Sequence, residues 1–195
     1  MTTMRYVDFQ HILFEHRANG VLLATLNRPA SMNATDARLH FELSKLWGVV
    51  ADDSAVKVVV VTGAGDRAFS AGGDLGWVQE MIGNAEQIAR LQKEAADLVY
   101  NILACDKPII SAINGTAVGA GLAVALLADI NIMAEDARIS DGHVRLGVAA
   151  GDHAAIIWPL LCGVAKAKYY LMTADFIEAA FFAKPVLQLV RINAV

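Results

Sequence analysis

Lys107-Pro108-Ile109-Ile110-Ser111-Ala112-Ile113-Asn114-Gly115-Thr116-Ala117-Val118-Gly119-Ala120-Gly121, followed by the apolar run Leu122 to Ala128 and then Asp129, decides the reading of this chain. A β-branched run, a turn of small residues, and then glycine and alanine opening an apolar helix describe a buried strand that presents a helix N-terminus. The backbone N–H groups of a first helical turn have no intrahelical acceptors, so they are natural donors to an anion or an oxyanion. A glycine-rich packing turn between a core strand and a core helix fits the same residues. The remainder of the chain has to separate the two readings.

The 195 residues suit one domain with a sizeable core. Apolar residues at 56% against charged residues at 18% exclude disorder and predict a well-buried interior with room for subunit contacts. A net charge of -4 without any basic cluster gives no motive for nucleic-acid binding. Met1 to Gly20 holds Asp8, Glu15 and two histidines instead of a basic start and an apolar core, so no secretory signal is expected. The longest apolar run, Ala117 to Ala128, is too short to span a bilayer. A cytoplasmic protein without membrane association is the expectation. Cys105 and Cys162 belong to no C-x-x-C pattern and read as two buried free thiols, with no metal site and no disulfide framework.

Along the chain, Ile12–His16 and Val21–Leu26 read as strands around the hairpin signal Arg17-Ala18-Asn19-Gly20. From Thr35 or Asp36 as N-cap, Leu39, Leu43, Leu46 and Val50 recur at helical spacing to about Ala51, with His40 beside the stripe. Val56–Thr62 carries four successive valines, the pattern of a strand buried on both faces in a largely parallel sheet. The following Gly63-Ala64-Gly65-Asp66-Arg67-Ala68 resembles a dinucleotide fingerprint only formally, because no helix opens within its glycines. Ala68 to Leu75 is a second small-residue loop before a helix from Leu75 to about Ile82. Glu86–Ala104 predicts a long amphipathic helix with Ile88, Leu91, Ala95, Leu98, Val99 and Ile102 inward. Short strands at Asn131–Ala134 and Ala137–Ser140 and helices at Asp152–Leu161 and Ala165–Thr173, broken at Gly163, complete an α/β alternation. Phe181 to Val195 is apolar without a clear period.

No G-x-S-x-G elbow, G-K-[ST] phosphate loop or H-E-x-x-H helix is present. What remains is two small-residue loops, each after a buried strand and before a helix, whose N–H groups could converge on one carbonyl oxygen. Removing one such donor from an oxyanion hole typically costs about 3 kcal/mol of transition-state stabilisation.

Phe69-Ser70-Ala71-Gly72-Gly73-Asp74-Leu75, then Lys107-Pro108 through Gly121, then Ala128-Asp129-Ile130 together resemble the enoyl-CoA hydratase/isomerase (crotonase) superfamily. The similarity runs from about Val21 to about Glu178 and includes Leu26-Asn27-Arg28-Pro29 and Asn33-Ala34. It implies a crotonase-like ββα spiral over residues 1–178, with 179–195 as an atypical and truncated C-terminal tail. It also implies a homotrimer or hexamer that binds an acyl-CoA thioester or related carbonyl, coenzyme A entering as part of the substrate and with no further cofactor. The family's oxyanion donors fall on the N–H groups of Gly73 and Ala120, and Ala71, Gly72, Asp74, Gly119 and Gly121 would line the substrate. Its two hydratase glutamates fall on Ala123 and His143, so both are missing.

Ser140 to His153, with Trp158-Pro159 following, is similar to the branch of the superfamily that contains β-diketone hydrolases, which cleave a carbon–carbon bond by a retro-Claisen route. That resemblance implies catalytic roles for His143, Asp152 and His40. A carboxylate that orients an imidazole makes chemical sense of the pairing. A further histidine of that branch falls on Gly121, and its C-terminal acidic residue has no counterpart. Asp141 and His153 are expected to be structural or solvent-facing, Trp158 and Met81 to be core, and Asp74 also reads as a helix cap. A binding subunit that keeps the thioester pocket without turnover is the reading from a different class.

Overall fold

A computed structural model describes residues 4–151 and 153–179, and the backbone of 189–192. Its strands and helices follow from the patterns above. β1 (Ile12–Arg17) and β2 (Val21–Leu26) pair antiparallel around a turn in which Asn19 and Gly20 take left-handed backbone angles. On β2 the alternate residues Leu22, Ala24 and Leu26 are fully buried. α1 (Ala37–Asp52) starts at Asp36, whose carboxylate accepts the Leu39 N–H at 2.8 Å.

β3 (Val58–Gly63) and β4 (Ala68–Ala71) lead into α2 (Leu75–Met81) and α3 (Ala85–Ala104). β5 (Ile109–Ile113) and β6 (Thr116–Val118) lead into α4 (Gly119–Leu127), and β7 (Ile130–Ala134) and β8 (Arg138–Ser140) into α5 (His153–Cys162) and α6 (Val164–Thr173). β9 (Ile177–Glu178) and β10 (Leu189–Ile192) follow.

Among the described residues these strands make two sheets, ordered β1-β2-β3-β5-β7-β10 and β4-β6-β8-β9. From β2 to β10 the larger sheet is parallel, and in the smaller one β4, β6 and β8 are parallel while β9 runs antiparallel to β8. The chain therefore repeats one step three times: a strand in the larger sheet, a strand in the smaller sheet, then helix. This is the ββα spiral that the resemblance implied.

Four strands, β4, β6, β9 and β10, were not apparent in the sequence. β4 and β6 lie where the residue pattern suggested only loops, because three or four residues carry no measurable period. Their corners are tied by side chains. Asn114 accepts the Gly63 N–H at 3.1 Å and donates to the Gly63 and Gly65 carbonyls at 2.9 and 2.8 Å, closing the ends of β3 and β5. Asn33, fully buried, donates to the Ala64 and Ala68 carbonyls at 2.9 Å each. Within the segment 179–195, Leu189–Ile192 extends the larger sheet by pairing with β7, and the rest lies outside the described residues apart from Ala179.

The core between sheet and helices centres on Trp47, Phe69, Leu22, Leu39, Leu43, Leu122 and Met133. Trp158 and Met81 belong to the buried set, as expected. Val59 and Val61 are fully buried while Val58 and Val60 are half-buried, so one face of β3 is more completely covered than the other. Both cysteines are free but half-buried instead of fully buried, and burial pushes each thiol above its ordinary value.

α3 departs from its predicted face. Leu98 and Ile102 point inward, but Ile88 is 39% exposed, and the buried residue of the first half is Glu94. Glu94 crosses to α1, where its Oε2 lies 2.9 Å from His40 Nδ1, and its Oε1 accepts from Arg90 Nε at 2.8 Å. Burial raises the cost of its charge, yet the bonds from His40 and Arg90 outweigh burial and hold the carboxyl below its usual range. A carboxylate held low in the folded state contributes stability above the ordinary glutamate value of 4.5 and loses that contribution as pH falls through the lowered one. Glu94→Gln is expected to cost ~1–3 kcal/mol at neutral pH, with the difference from wild type shrinking toward acid. Urea denaturation between pH 3 and pH 7 checks this, and a pH-independent difference would contradict it.

Candidate active site

Three loops leave the C-terminal ends of β4, β6 and β8, and the register of the smaller sheet sets them side by side. Ala71 is opposite Val118, and Val118 is opposite Ser140. Neighbouring strands stand ~4.8 Å apart, so Gly119-Ala120 emerges about one strand spacing from Gly72-Gly73 on one side and from Asp141-Gly142-His143 on the other. In parallel sheets this is the end at which ligands bind. Side chain and glycine contacts close the gaps further: Val118 Cγ1 lies 3.2 Å from where a Cβ on Gly72 or on Gly142 would stand. A Cβ on Gly119 would come within 3.2 Å of the Gly72 Cα. Gly72 and Gly119 both adopt left-handed backbone angles, φ +91 and +57, so residues without a side chain suit both positions.

The direction of the Gly73 N–H follows from peptide geometry. Thr35 forms an isolated parallel bridge with Gly73: the Thr35 N–H donates to the Gly72 carbonyl at 2.7 Å, and the Asp74 N–H donates to the Thr35 carbonyl at 2.9 Å. Among the described residues no peptide bond is cis. In a trans peptide the carbonyl and the following N–H point opposite ways, so a Gly72 carbonyl turned to Thr35 turns the Gly73 N–H away from it. Ala120 is the second residue of α4, where the N–H has no intrahelical acceptor, and the N-cap residue Val118 makes no side-chain cap bond. Behind it α4 is buried and apolar from Gly121 to Leu126, so its N-terminal dipole faces no charge within the helix.

The other residues expected at the substrate sort differently. Ala71 ends β4, its N–H bonded to the Met32 carbonyl at 3.0 Å. Gly121 is buried, and a Cβ there would stand 2.2 Å from the Ser70 Cβ, so Gly121 packs α4 against β4. Asp74 caps α2 through the Gly76 N–H at 3.1 Å and receives the Arg28 guanidinium at 3.3 Å, which engages its carboxylate within the protein. Ala123, at the first glutamate position, is 1% exposed.

His143 opens a 3-10 turn, His143–Leu146. Asp141 accepts its backbone N–H at 3.1 Å and stands 2.9 and 3.0 Å from its Nδ1 through Oδ1 and Oδ2. Asp141 is 1% exposed and His143 half-buried. Of the two expectations for Asp141, structural or solvent-facing, its burial fits the first: it holds the start of the His143 turn and sets a carboxylate against the histidine ring. An aspartate accepting from the residue two positions on is a turn habit of Asp-Gly-X, and that local signal could have exposed the pair in the sequence. His153 is likewise buried, its ring centroid 6.2 Å from that of His143. Asp152 lies outside the described residues. His40 is 4% exposed, bonded to Glu94 in the seam of α1 and α3, with Trp77 stacked 5.5 Å away at a tilt. Glu94 has no sequence signature beyond its place on an apolar face.

Among the described residues no group of three His, Cys, Asp or Glu is placed to hold a metal. No described helix is long and apolar enough to cross a membrane. What the three strand ends bring near one another are the Gly73 N–H, turned away from Thr35, the N–H groups of the first turn of α4, and the His143 ring beside Asp141. Such a set can polarise a carbonyl and move a proton.

Residues 16–184 match the family model for enoyl-CoA hydratase/isomerase. The chain is 33% identical over 172 residues to a crotonyl-CoA hydratase of Syntrophomonas wolfei, covering 88% of this chain and 65% of that protein. It is 37% identical over 139 residues to a 2,3-dehydroadipyl-CoA hydratase of Escherichia coli, covering 71% of this chain and 52% of the relative. The chain thus spans about two thirds or less of the length of these relatives. The crystal structure of an enoyl-CoA hydratase/isomerase from Mycobacterium paratuberculosis superposes with a TM-score of 0.88 at 36% identity, over 96% of this chain and 74% of that one. Fold, motif order and matched length agree, and the chain belongs to the enoyl-CoA hydratase/isomerase family of the crotonase superfamily.

Proposed function

We propose that the protein is an acyl-CoA enzyme that polarises a thioester carbonyl between the N–H groups of Gly73 and Ala120 and moves a proton with His143. The observation that carries this reading is the Ala71–Val118–Ser140 register, which sets both donor loops and the histidine turn on one sheet end. The relatives act on enoyl-CoA and acyl-CoA thioesters by name, which supports the substrate class.

In this mechanism the thioester oxygen accepts two hydrogen bonds. As negative charge develops on it, either in an enolate or in a tetrahedral adduct, the two fixed dipoles stabilise it without having to reorganise. His143 holds Nδ1 toward Asp141, so Nε2 is the nitrogen that exchanges the proton with substrate or water. Asp141 supports the imidazolium that forms and fixes the ring's tautomer, alongside the role that the resemblance implies for Asp152. Hydration by a pair of glutamates is not available, because Ala123 and His143 occupy those positions. Gly73 and Ala120 act through the backbone and do not depend on that loss. Assembly as a homotrimer or hexamer belongs to the same proposal.

The His143–Asp141 contact also suits activation of water for carbon–carbon hydrolysis of a β-diketone, the second reading. The packing of Gly121 against Ser70 leaves no room for the histidine that the resemblance would require there. A cyclic diketone panel assayed without coenzyme A separates the two, since ring-opened acid would establish the hydrolase. Acyl-CoA binding without product across a broad panel would instead identify a non-catalytic binding subunit.

His143→Ala is expected to lower turnover on acyl-CoA substrates by about 10²- to 10⁴-fold while leaving their affinity within a few-fold by calorimetry. Unchanged kinetics would remove His143 from the mechanism. Hydration of crotonyl-CoA, followed by loss of absorbance of the conjugated thioester, is expected to be weak. Robust turnover of that substrate would show that the missing glutamates have been replaced by another pair.

A further inference from the structure

Arg28 touches neither donor loop's N–H, yet its side chain joins the Thr35 segment to the starts of α1 and α2 beside Gly73. Its Nη1 and Nη2 reach Asp74 Oδ2 at 3.4 and 3.3 Å, and Nη2 reaches Asp36 Oδ2 at 3.2 Å. Nη1 also donates to the Ala34 carbonyl. Its own N–H is held by Asn33 Oδ1 at 2.9 Å, and its carbonyl accepts from the Ser31 and Asn33 N–H groups at 3.0 and 2.8 Å. The guanidinium is 20% exposed, so these bonds are partly shielded from water.

The geometry around it is specific. Ala34 and Asp36 are the residues on either side of Thr35, and Asp74 directly follows Gly73. Thr35 and Gly73 are bridged to each other, and that bridge turns the Gly73 N–H outward. Asp36 and Asp74 are also the N-caps of α1 and α2. A planar, permanently charged fork therefore spans both partners of the bridge and both helix starts beside it, a task that a point charge on a flexible stem does not reproduce.

We infer that Arg28 is a positioning residue for the Gly73 donor: by clamping Ala34, Asp36 and Asp74 it fixes the Thr35–Gly73 bridge and so the direction of the Gly73 N–H. This deepens the oxyanion-hole reading above and rests on it for its consequence in catalysis, whereas the clamp itself is a property of the free protein.

The test uses the whole chain as Arg28→Met and Arg28→Lys, with two readouts. Hydrogen exchange over residues 72–77 reports the clamp. The absorbance of bound cinnamoyl-CoA, whose conjugated thioester moves to longer wavelength when its carbonyl is polarised, reports the donor. In Arg28→Met, exchange over 72–77 is expected to accelerate about 10- to 100-fold, the weight of charged hydrogen bonds, while β3 and β5 keep their protection. The wavelength shift of bound cinnamoyl-CoA is expected to fall by more than half. Added guanidinium ion is expected to restore part of both, and Arg28→Lys to lie between wild type and Arg28→Met. Wild-type exchange at 72–77 in a folded Arg28→Met variant overturns the inference. So does a loss of protection spread evenly over the molecule without rescue. Should Arg28→Met not fold, the comparison of Arg28→Lys with wild type decides by the same two readouts. If wild type binds cinnamoyl-CoA with no wavelength shift, the oxyanion-hole reading fails, and exchange over 72–77 alone decides for or against the clamp.

Discussion

The backbone pairing of β4, β6 and β8 at Ala71, Val118 and Ser140 is the constraint on which the rest of the site depends. Parallel strands emerge from a sheet on the same side, and hydrogen bonding holds them one strand spacing apart. Whatever follows those three residues is therefore delivered to one place. A slip of one residue between β4 and β6 would turn every side chain to the other face and carry Gly73 away from Ala120. The packing around this edge opposes such a slip. Phe69 and Ala117 are fully buried, Gly121 fits only against Ser70, and Ser70 donates to the Asn33 carbonyl at 2.8 Å.

The larger sheet acts on the site through its corners. Two of the three crossings from the larger sheet to the smaller one are tied by amide side chains, Asn33 at the start of β4 and Asn114 between β5 and β6. These are buried or half-buried groups whose donors and acceptors are satisfied by backbone, so they specify a corner in a way apolar packing does not. The helices contribute differently. α4 supplies its N-terminus and an apolar body, and α1 and α2 supply capped starts that meet at Arg28, Asp36 and Asp74. Backbone donors and a clamped loop tolerate side-chain change well, which is consistent with a preserved donor geometry in a chain that carries Ala123 and His143 where hydratases of the family carry glutamates.

Much of the fold was legible in the residues. The valine run of β3, the stripe of α1 and the hairpin at Asn19-Gly20 each carry enough length or turn chemistry to declare themselves. β4 and β6 did not, since their short runs of small residues become strands only through their neighbours in the sheet. Ile88 was read as inward because it falls on the stripe of α3, but it is 39% exposed, and Glu94 instead is drawn into the seam by His40. Asp141 was set aside as a structural or solvent-facing group because a single aspartate before a glycine has many uses. The Asp141 turn at His143 is formed by backbone angles that no pattern of hydrophobicity records.

The sequence by itself determined the longer strands and helices, the family, and the two small-residue loops, because periodicity, turn residues and glycine positions are local properties of the chain. Only the tertiary structure decided which loops share an end of a sheet and which way the Gly73 N–H points. Those outcomes depend on contacts between residues far apart in the chain, such as Thr35 with Gly72 and Val118 with Gly142. The first set of facts is written along the chain, and the second exists only when the chain has closed on itself.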